Sequence, residues 1–345
     1  MKKLFSLLPA AALLLCLCGC AGSLTRYQTT YLDVFDTVTT VAGYAASQEA
    51  FDAEAEKIHS LLLEYHELYD IYNDYDGLNN LRTVNENAGK SPVKVDARIL
   101  DLLNFAREMY DKTGGKVNVA MGSVLTLWHD AREYGIANPD SAYLPDADAL
   151  RAAAEHTDIG DVVVDADAST VYLSDPEMSL DVGAVAKGWA AGAAAQAVKD
   201  DGLTGWLLSV GGNVCAVGPK SGGSKWQVGI RDPSSESASS YILKVGAADL
   251  CVVTSGSYER YYTVNGVRYH HIIDPDTLYP NNTFSSVTVL SADSALADAL
   301  TTALFNMDES AGSALIESTS GAEALWIRAD GTQVFSSGFK NYVVK

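Results

Sequence analysis

The order of periodic segments constrains this chain most. Helical spacing of apolar residues runs through Phe51 to Tyr72, Asp96 to Lys112 and Asp146 to His156, and then short β-branched runs take over. Helices gathered early and strands gathered late indicate an α+β fold, not the alternating pattern of a parallel sheet. Strands are predicted at Val162 to Val164, Val171 to Leu173, Trp206 to Val210, Trp226 to Ile230, Tyr241 to Val245, Leu250 to Val253 and Val287 to Leu290. Asn265-Gly266, between Tyr261 to Val264 and Val267 to Ile273, is the strongest hairpin signal, and Asp330-Gly331 centres a second hairpin within Ala324 to Phe335. Two further helices are predicted, at Ala186 to Lys199 and Ala295 to Phe305. With 345 residues and 48% hydrophobic content the chain can bury a sizeable core. Pro219 to Ser224 and Ser234 to Ser240 read as surface insertions within one unit.

Chemistry-bearing residues gather in the second half. On the predicted helix from Ala295, Asp298 and Thr302 lie one turn apart on one face, where a carboxylate and a hydroxyl can share a hard cation. Mg2+ takes about six oxygens, several of them from water and substrate phosphate, so few protein ligands suffice. The same pair also suits an acidic residue favouring the helix dipole beside a half-buried threonine. Asp181-Val-Gly-Ala-Val-Ala-Lys187-Gly is a glycine-punctuated turn into a helix N-terminus, a place where free N–H groups and Lys187 attract anions. Close helix–sheet packing would use the same glycines. Thr254-Ser255-Gly256 ends a strand and offers two hydroxyls beside the tyrosines that follow. The hairpin after it returns His271 and Asp274 toward that turn. By strand alternation, His270 faces away from His271.

Together these motifs resemble the ApbE family of FAD:protein FMN transferases. The resemblance rests on Asp181-x-Gly-Ala-x-Ala-Lys187-Gly, Gly211-Gly-Asn, Thr254-Ser-Gly-x-Tyr-Glu-Arg, His271-Ile-Ile-Asp-Pro and Ala297-Asp-Ala-Leu-x-Thr-Ala-Leu304, in family order. Looser matches at Asp36-Thr37, Tyr72 to Asn85 and Thr113 to Gly122 extend it over nearly the whole mature chain.

The resemblance implies one ApbE-like (T-fold-like) domain over residues 31–345, with mixed or antiparallel sheets and packed helices. It also implies transfer of FMN from FAD to a Thr or Ser hydroxyl of an acceptor protein, with release of AMP. The Ala184 carbonyl, Asp298 and Thr302 would hold Mg2+, with Thr301 as a further ligand. FAD would be met by Phe35, Tyr72, Asn118, Val119, Ala120, Asp181, Lys187, Thr254, Ser255, Gly256, His271 and Ile272. His271 is a candidate general base, because an ordinary imidazole accepts protons near neutrality, and it is equally a candidate for orienting FAD. Asp274 and Asp298 are further candidate bases. The chain departs from the family pattern at Leu278-Tyr279-Pro280, where a Gly-Pro is usual, so another backbone path is expected there. It departs again at Trp189-Ala190-Ala191-Gly192, where an Asp is usual.

At the N-terminus, Lys2-Lys3 precedes an apolar run from Leu4 to Leu17 that is too short for a typical span of roughly 20 residues. It ends in Leu17-Cys18-Gly19-Cys20, which resembles a bacterial lipoprotein signal. Residues 1–19 are therefore expected to be removed, Cys20 to be lipidated, and residues 20–30 to form a tether to the extracytoplasmic face of the membrane. A plain secretory signal is the alternative. Two cysteines, Cys215 and Cys251, remain for the folded body, as a pair or as two buried hydrophobes. Without Lys2 and Lys3, 22 basic residues face 44 acidic ones, a net of −22, which excludes the basic surface that nucleic acid needs.

Three activities fit these residues: FMN transfer to an exported acceptor protein, Mg2+-dependent hydrolysis of FAD to FMN and AMP, and flavin binding without chemistry. The transferase is the reading the resemblance favours.

Overall fold

The computed structural model describes residues 24–237 and 239–344. The expected leader, with Cys20, lies outside the described residues. The chain forms strands β1 (Thr25–Val34) and β2 (Thr37–Ala45), helices α1 (Gln48–Tyr69) and α2 (Leu81–Glu86), and strand β3 (Val93–Lys94). Helices α3 (Ala97–Thr113), α4 (Gly122–Ala137) and α5 (Ala147–Ala154) follow, then strands β4 (Val162–Asp165) and β5 (Thr170–Leu173) and helix α6 (Ala186–Asp200). Strands β6 (Trp206–Val210), β7 (Asn213–Val217), β8 (Trp226–Arg231), β9 (Tyr241–Ala247), β10 (Leu250–Gly256), β11 (Tyr261–Val264), β12 (Val267–His270) and β13 (Phe284–Ser291) come next. Helices α7 (Ser294–Asn306) and α8 (Glu309–Ser318) and the hairpin β14 (Ala322–Arg328) and β15 (Gln333–Phe335) close the chain.

Eight strands make one sheet in the order β1-β2-β6-β7-β10-β13-β14-β15, and every neighbouring pair is antiparallel. The α+β expectation therefore holds, with the sheet built from hairpins and longer returns. Strand β10 shows why its sequence is nearly all apolar. Cys251 and Val253 enter the core under the helices, whereas Leu250 and Val252 enter a second core that includes Val228 and Val245 of the β8–β9 hairpin. A strand covered on both faces loses the polar alternation of a half-exposed one.

On the helix side, α1, α6 and α7 carry the main core. Phe51 of α1 stacks on Trp206 of β6, with ring centroids 5.3 Å apart. Helix α4 packs instead under the β11–β12 hairpin, where Val124, Trp128 and Ala131 meet Tyr262 and Val264.

Several elements differ from the sequence expectations. Residues 25–30, expected in the tether, belong to β1 and pair in register with β2 from Thr25↔Ala45 onward. That strand lies at the sheet edge with much of its surface exposed, so its polar composition resembles a linker. Helix α4 was not foreseen, because no side chain caps its start at Met121 and a glycine opens it. Strand β12 ends at His270, so His271 to Asp274 form a loop and not a continuation of the strand.

Candidate active site

The start of α6 and the first turns of α7 meet at one glycine. A Cβ on Gly188 would lie 2.3 Å from the Asp298 Cβ and 2.6 Å from the Ser294 carbonyl oxygen, so only glycine lets the helices approach this closely. The Gly188 N–H then donates to Asp298 Oδ2 at 2.7 Å. The Asp298 carboxylate is 4% exposed and has no ion-pair partner among the described residues. Burial pushes its pKa above the usual carboxylate range, opposed by the nearby Lys187 charge and the Gly188 bond. Beside it, the buried Asn213 side chain also favours the charged carboxylate, although its Nδ2 makes no well-formed hydrogen bond.

A cavity of about 770 Å3 opens over this junction. Its walls come from the β1–β2 turn (Phe35, Asp36), the segment after α1 (Asp70 to Tyr72), α4 (Leu125, Trp128, His129, Arg132), the turn into α6 (Asp181 to Lys187), β10 (Thr254 to Gly256) and the loop after β12 (His271 to Ile273). Half apolar and half polar, with convergent charged groups, it has the size and lining of a cofactor site.

Of the residues named from sequence, the cavity brings together Phe35, Tyr72, Asn118, Asp181, Ala184, Lys187, Thr254, Ser255, Gly256, His271, Ile272, Asp298 and Thr302. Val119, Ala120 and Thr301 lie behind the wall. The Val119 carbonyl accepts from the Asp181 N–H at 2.8 Å, and the Ala120 N–H donates to Asn118 Oδ1 at 2.9 Å. Thr301 accepts from the Ser255 hydroxyl at 2.9 Å and donates to the Asp298 carbonyl at 2.7 Å, so it braces α7. The second candidate base, Asp274, is held by Lys116 Nζ at 2.6 Å and does not line the cavity.

The two adjacent histidines do separate, although His271 lies past the end of β12, so the loop path and not strand alternation divides them. His270 is buried, donates Nε2–H to the Asn281 carbonyl, accepts the Ile272 N–H at Nδ1, and packs edge-on against Phe305. Burial lowers its pKa to about 4. His271 faces the cavity with its Nδ1 shut from solvent and unpartnered. Burial, reinforced by Lys187 and Arg260, lowers its pKa to about 3, so the ring is neutral at physiological pH.

The sequence motifs assign no role to several cavity residues. His66 Nδ1 accepts the Phe35 N–H at 3.3 Å and Arg260 donates to the Phe35 carbonyl at 3.3 Å, so both hold the left-handed β1–β2 turn over the cavity. Asp70 accepts from the backbone of Tyr72 and Asn73 and from the Tyr75 hydroxyl, fixing the loop that presents Tyr72 against His129. His66 sits on α1, Asp70 just past its end and Arg260 after β10, so no single element's pattern signals these roles. The spacing of Val124, Trp128, Ala131 and Gly135 was a usable signal for α4.

The departure at Leu278 has a structural answer. Leu278 itself adopts the left-handed conformation at φ 64°, with its N–H on the Asp274 carbonyl and its own carbonyl accepting from Trp128 Nε1. The conformation that favours glycine is thus imposed on a leucine by packing.

With this geometry in place, comparison with known proteins decides the family. The ApbE family model matches residues 25–326. The chain belongs to the ApbE family. It is 35% identical over 341 residues to an FAD:protein FMN transferase of Treponema pallidum, covering 94% of this chain and 91% of that one. It is 30% identical over 287 residues to one from Klebsiella pneumoniae, with 83% and 85% covered. Among solved structures, an ApbE protein from Thermotoga maritima superposes with a TM-score of 0.80 at 28% identity, over 93% of this chain and 100% of that one. The flavin transferase ApbE of Vibrio cholerae superposes at 0.77 and 26% identity, over 92% and 99%.

Proposed function

We propose that this ApbE-family chain moves FMN from FAD onto a Thr or Ser hydroxyl of an acceptor protein and releases AMP. The observation that carries this reading is the α6–α7 junction, where an ion-pair-free buried carboxylate and a lysine face one cavity from opposite helices. The donors suit Mg2+: one carboxylate (Asp298), one hydroxyl (Thr302) and one carbonyl (Ala184), all hard oxygens lining the same cavity. Among the described residues no group of three His, Cys, Asp or Glu side chains could hold a metal, which argues against a zinc-type centre. When bound, Mg2+ would offset the negative charge of the FAD pyrophosphate.

The chain's own residues account for the rest. Lys187, at the start of α6, adds positive charge where an incoming oxygen would meet phosphate repulsion. The acceptor oxygen bonds to the riboflavin-side phosphorus while the bridging P–O bond breaks and AMP leaves with the bond's electron pair. His271 lines the cavity as a neutral ring, so it can orient the phosphate or accept the hydroxyl proton as charge develops. Phe35 and Tyr72 offer aromatic faces to the flavin or adenine ring. A lipid on Cys20 would hold this domain at the extracytoplasmic face of the membrane, beside exported acceptors; among the described residues no helix is long and apolar enough to cross a membrane.

Purified protein incubated with FAD, Mg2+ and an acceptor bearing a flavinylation site tests this reading. Flavin covalently on the acceptor is the expected result. AMP with free FMN alone would indicate hydrolysis, and intact FAD would indicate storage, either of which overturns the transferase reading.

A further inference from the structure

Cys215 and Cys251 stand directly opposite each other on β7 and β10, two central strands of the eight-stranded sheet. Their Sγ atoms are 2.8 Å apart, and both side chains are buried, at 1% and 5% exposure. Directly opposed antiparallel residues have Cα separations of about 4.5–5.5 Å, inside the range a disulfide spans without backbone movement. We propose that these two cysteines are a disulfide-forming pair that covalently ties β7 to β10 in the oxidised protein. The tie matters for the site because Asn213 opens β7 and Thr254 to Gly256 end β10, so both strands deliver cavity residues. It goes beyond the transfer reaction and draws only on the export reading for the oxidising surroundings in which such bonds persist.

The chemistry needs an oxidant with a labile disulfide, such as an exported thiol oxidoreductase. The Cys251 thiol donates to Cys215 Sγ, a contact that favours the Cys215 thiolate, and Cys215 attacks first, before the sheet closes over it. Its thiolate opens the oxidant's disulfide and expels one thiolate. Cys251 then gives up its proton, attacks Cys215 Sγ and expels the second. Two electrons and two protons end on the oxidant as two thiols, and one S–S bond joins the strands.

The test is refolding of the reduced, denatured full chain in an oxidised/reduced glutathione mixture, which reaches both sulfurs before the sheet closes, followed by alkylation in denaturant and peptide mapping. The expected product is one linked peptide joining Cys215 to Cys251, about 2 Da lighter than the two free peptides, with a Tm about 5 to 10 °C higher and reversed by dithiothreitol. Recovery of both cysteines alkylated, glutathione retained on either, or either joined to another cysteine would overturn the proposal. None of these readouts uses FAD, so failure here is distinct from failure of the transferase reading.

Discussion

At the scale of single residues, the site spends stability on chemistry. Asp298 has its pKa raised by burial, so in metal-free protein its charge opposes folding at neutral pH. That penalty is full above the folded pKa and vanishes as pH falls below the unfolded value near 3.8. Asp298→Asn should therefore raise the metal-free Tm at pH 7 by a few degrees, with the gain disappearing toward pH 4. Saturating Mg2+ should stabilise the parent and not the variant, and turnover of the variant should fall by about a hundredfold or more. Calorimetry with and without Mg2+ and an AMP-release assay check both arms. The histidines act in the opposite sense along the pH axis. With folded pKa values of about 4 and about 3, His270 and His271 leave the unfolded chain holding more protons below about pH 6.5. Their stabilisation is complete above that pH and is lost as pH falls, by about 1.4 kcal/mol per unit for each ring. In urea titrations between pH 4 and 6, His270→Gln should reduce that slope by about half. A neutral His271 also means that kcat/KM should show no inflection from this ring between pH 5 and 8, and that His271→Gln should lower the whole profile without tilting it. A profile that tilts near pH 6.5 would restore the ordinary imidazole.

At the scale of elements, the close contact of α6 with α7 makes the site, and a single methyl group disturbs it. Gly188→Ala gains about 1 kcal/mol of helix propensity but sets a Cβ 2.3 Å from the Asp298 Cβ, and overpacking of about 1–3 kcal/mol outweighs that gain. The variant should fold with a lowered Tm and lose at least tenfold in kcat, because Asp298 must move. The β1–β2 turn is a separate device: Arg260→Ala should free Phe35 and raise KM for FAD about fivefold with kcat little changed, as read in steady-state kinetics. Much of this was legible beforehand. Helices α1, α3 and α7 carry regular apolar spacing, α6 is dense in alanine, and Asn265-Gly266 marks the β11–β12 hairpin directly. What escaped had a physical cause. Strand β1 is mostly exposed and polar, and α4 starts without a cap. Thr301 shares the motif of Asp298 and Thr302, yet its hydroxyl is consumed by Ser255 and the Asp298 carbonyl, a fact set by tertiary packing. The His66 and Arg260 bonds to the Phe35 turn span 31 and 225 residues of sequence, beyond the reach of any local pattern.

At the scale of the whole molecule, one antiparallel sheet carries helices on one face and a hairpin on the other, and the cavity draws its walls from segments between Phe35 and Thr302. The chain is strongly acidic, with a net charge of −20, so an anionic dinucleotide must be drawn in by local charge. Lys187, Arg132 and Arg260 line the cavity and supply it, and the proposed divalent ion would add to them. That ion is the central claim, and anomalous diffraction from crystals soaked in Mn2+ and FAD measures it most directly. The account predicts one strong peak within bonding distance of the Ala184 carbonyl, Asp298 and Thr302, and in contact with the FAD pyrophosphate. A pyrophosphate bound in the cavity with no peak at that junction, or with the metal elsewhere, would contradict it.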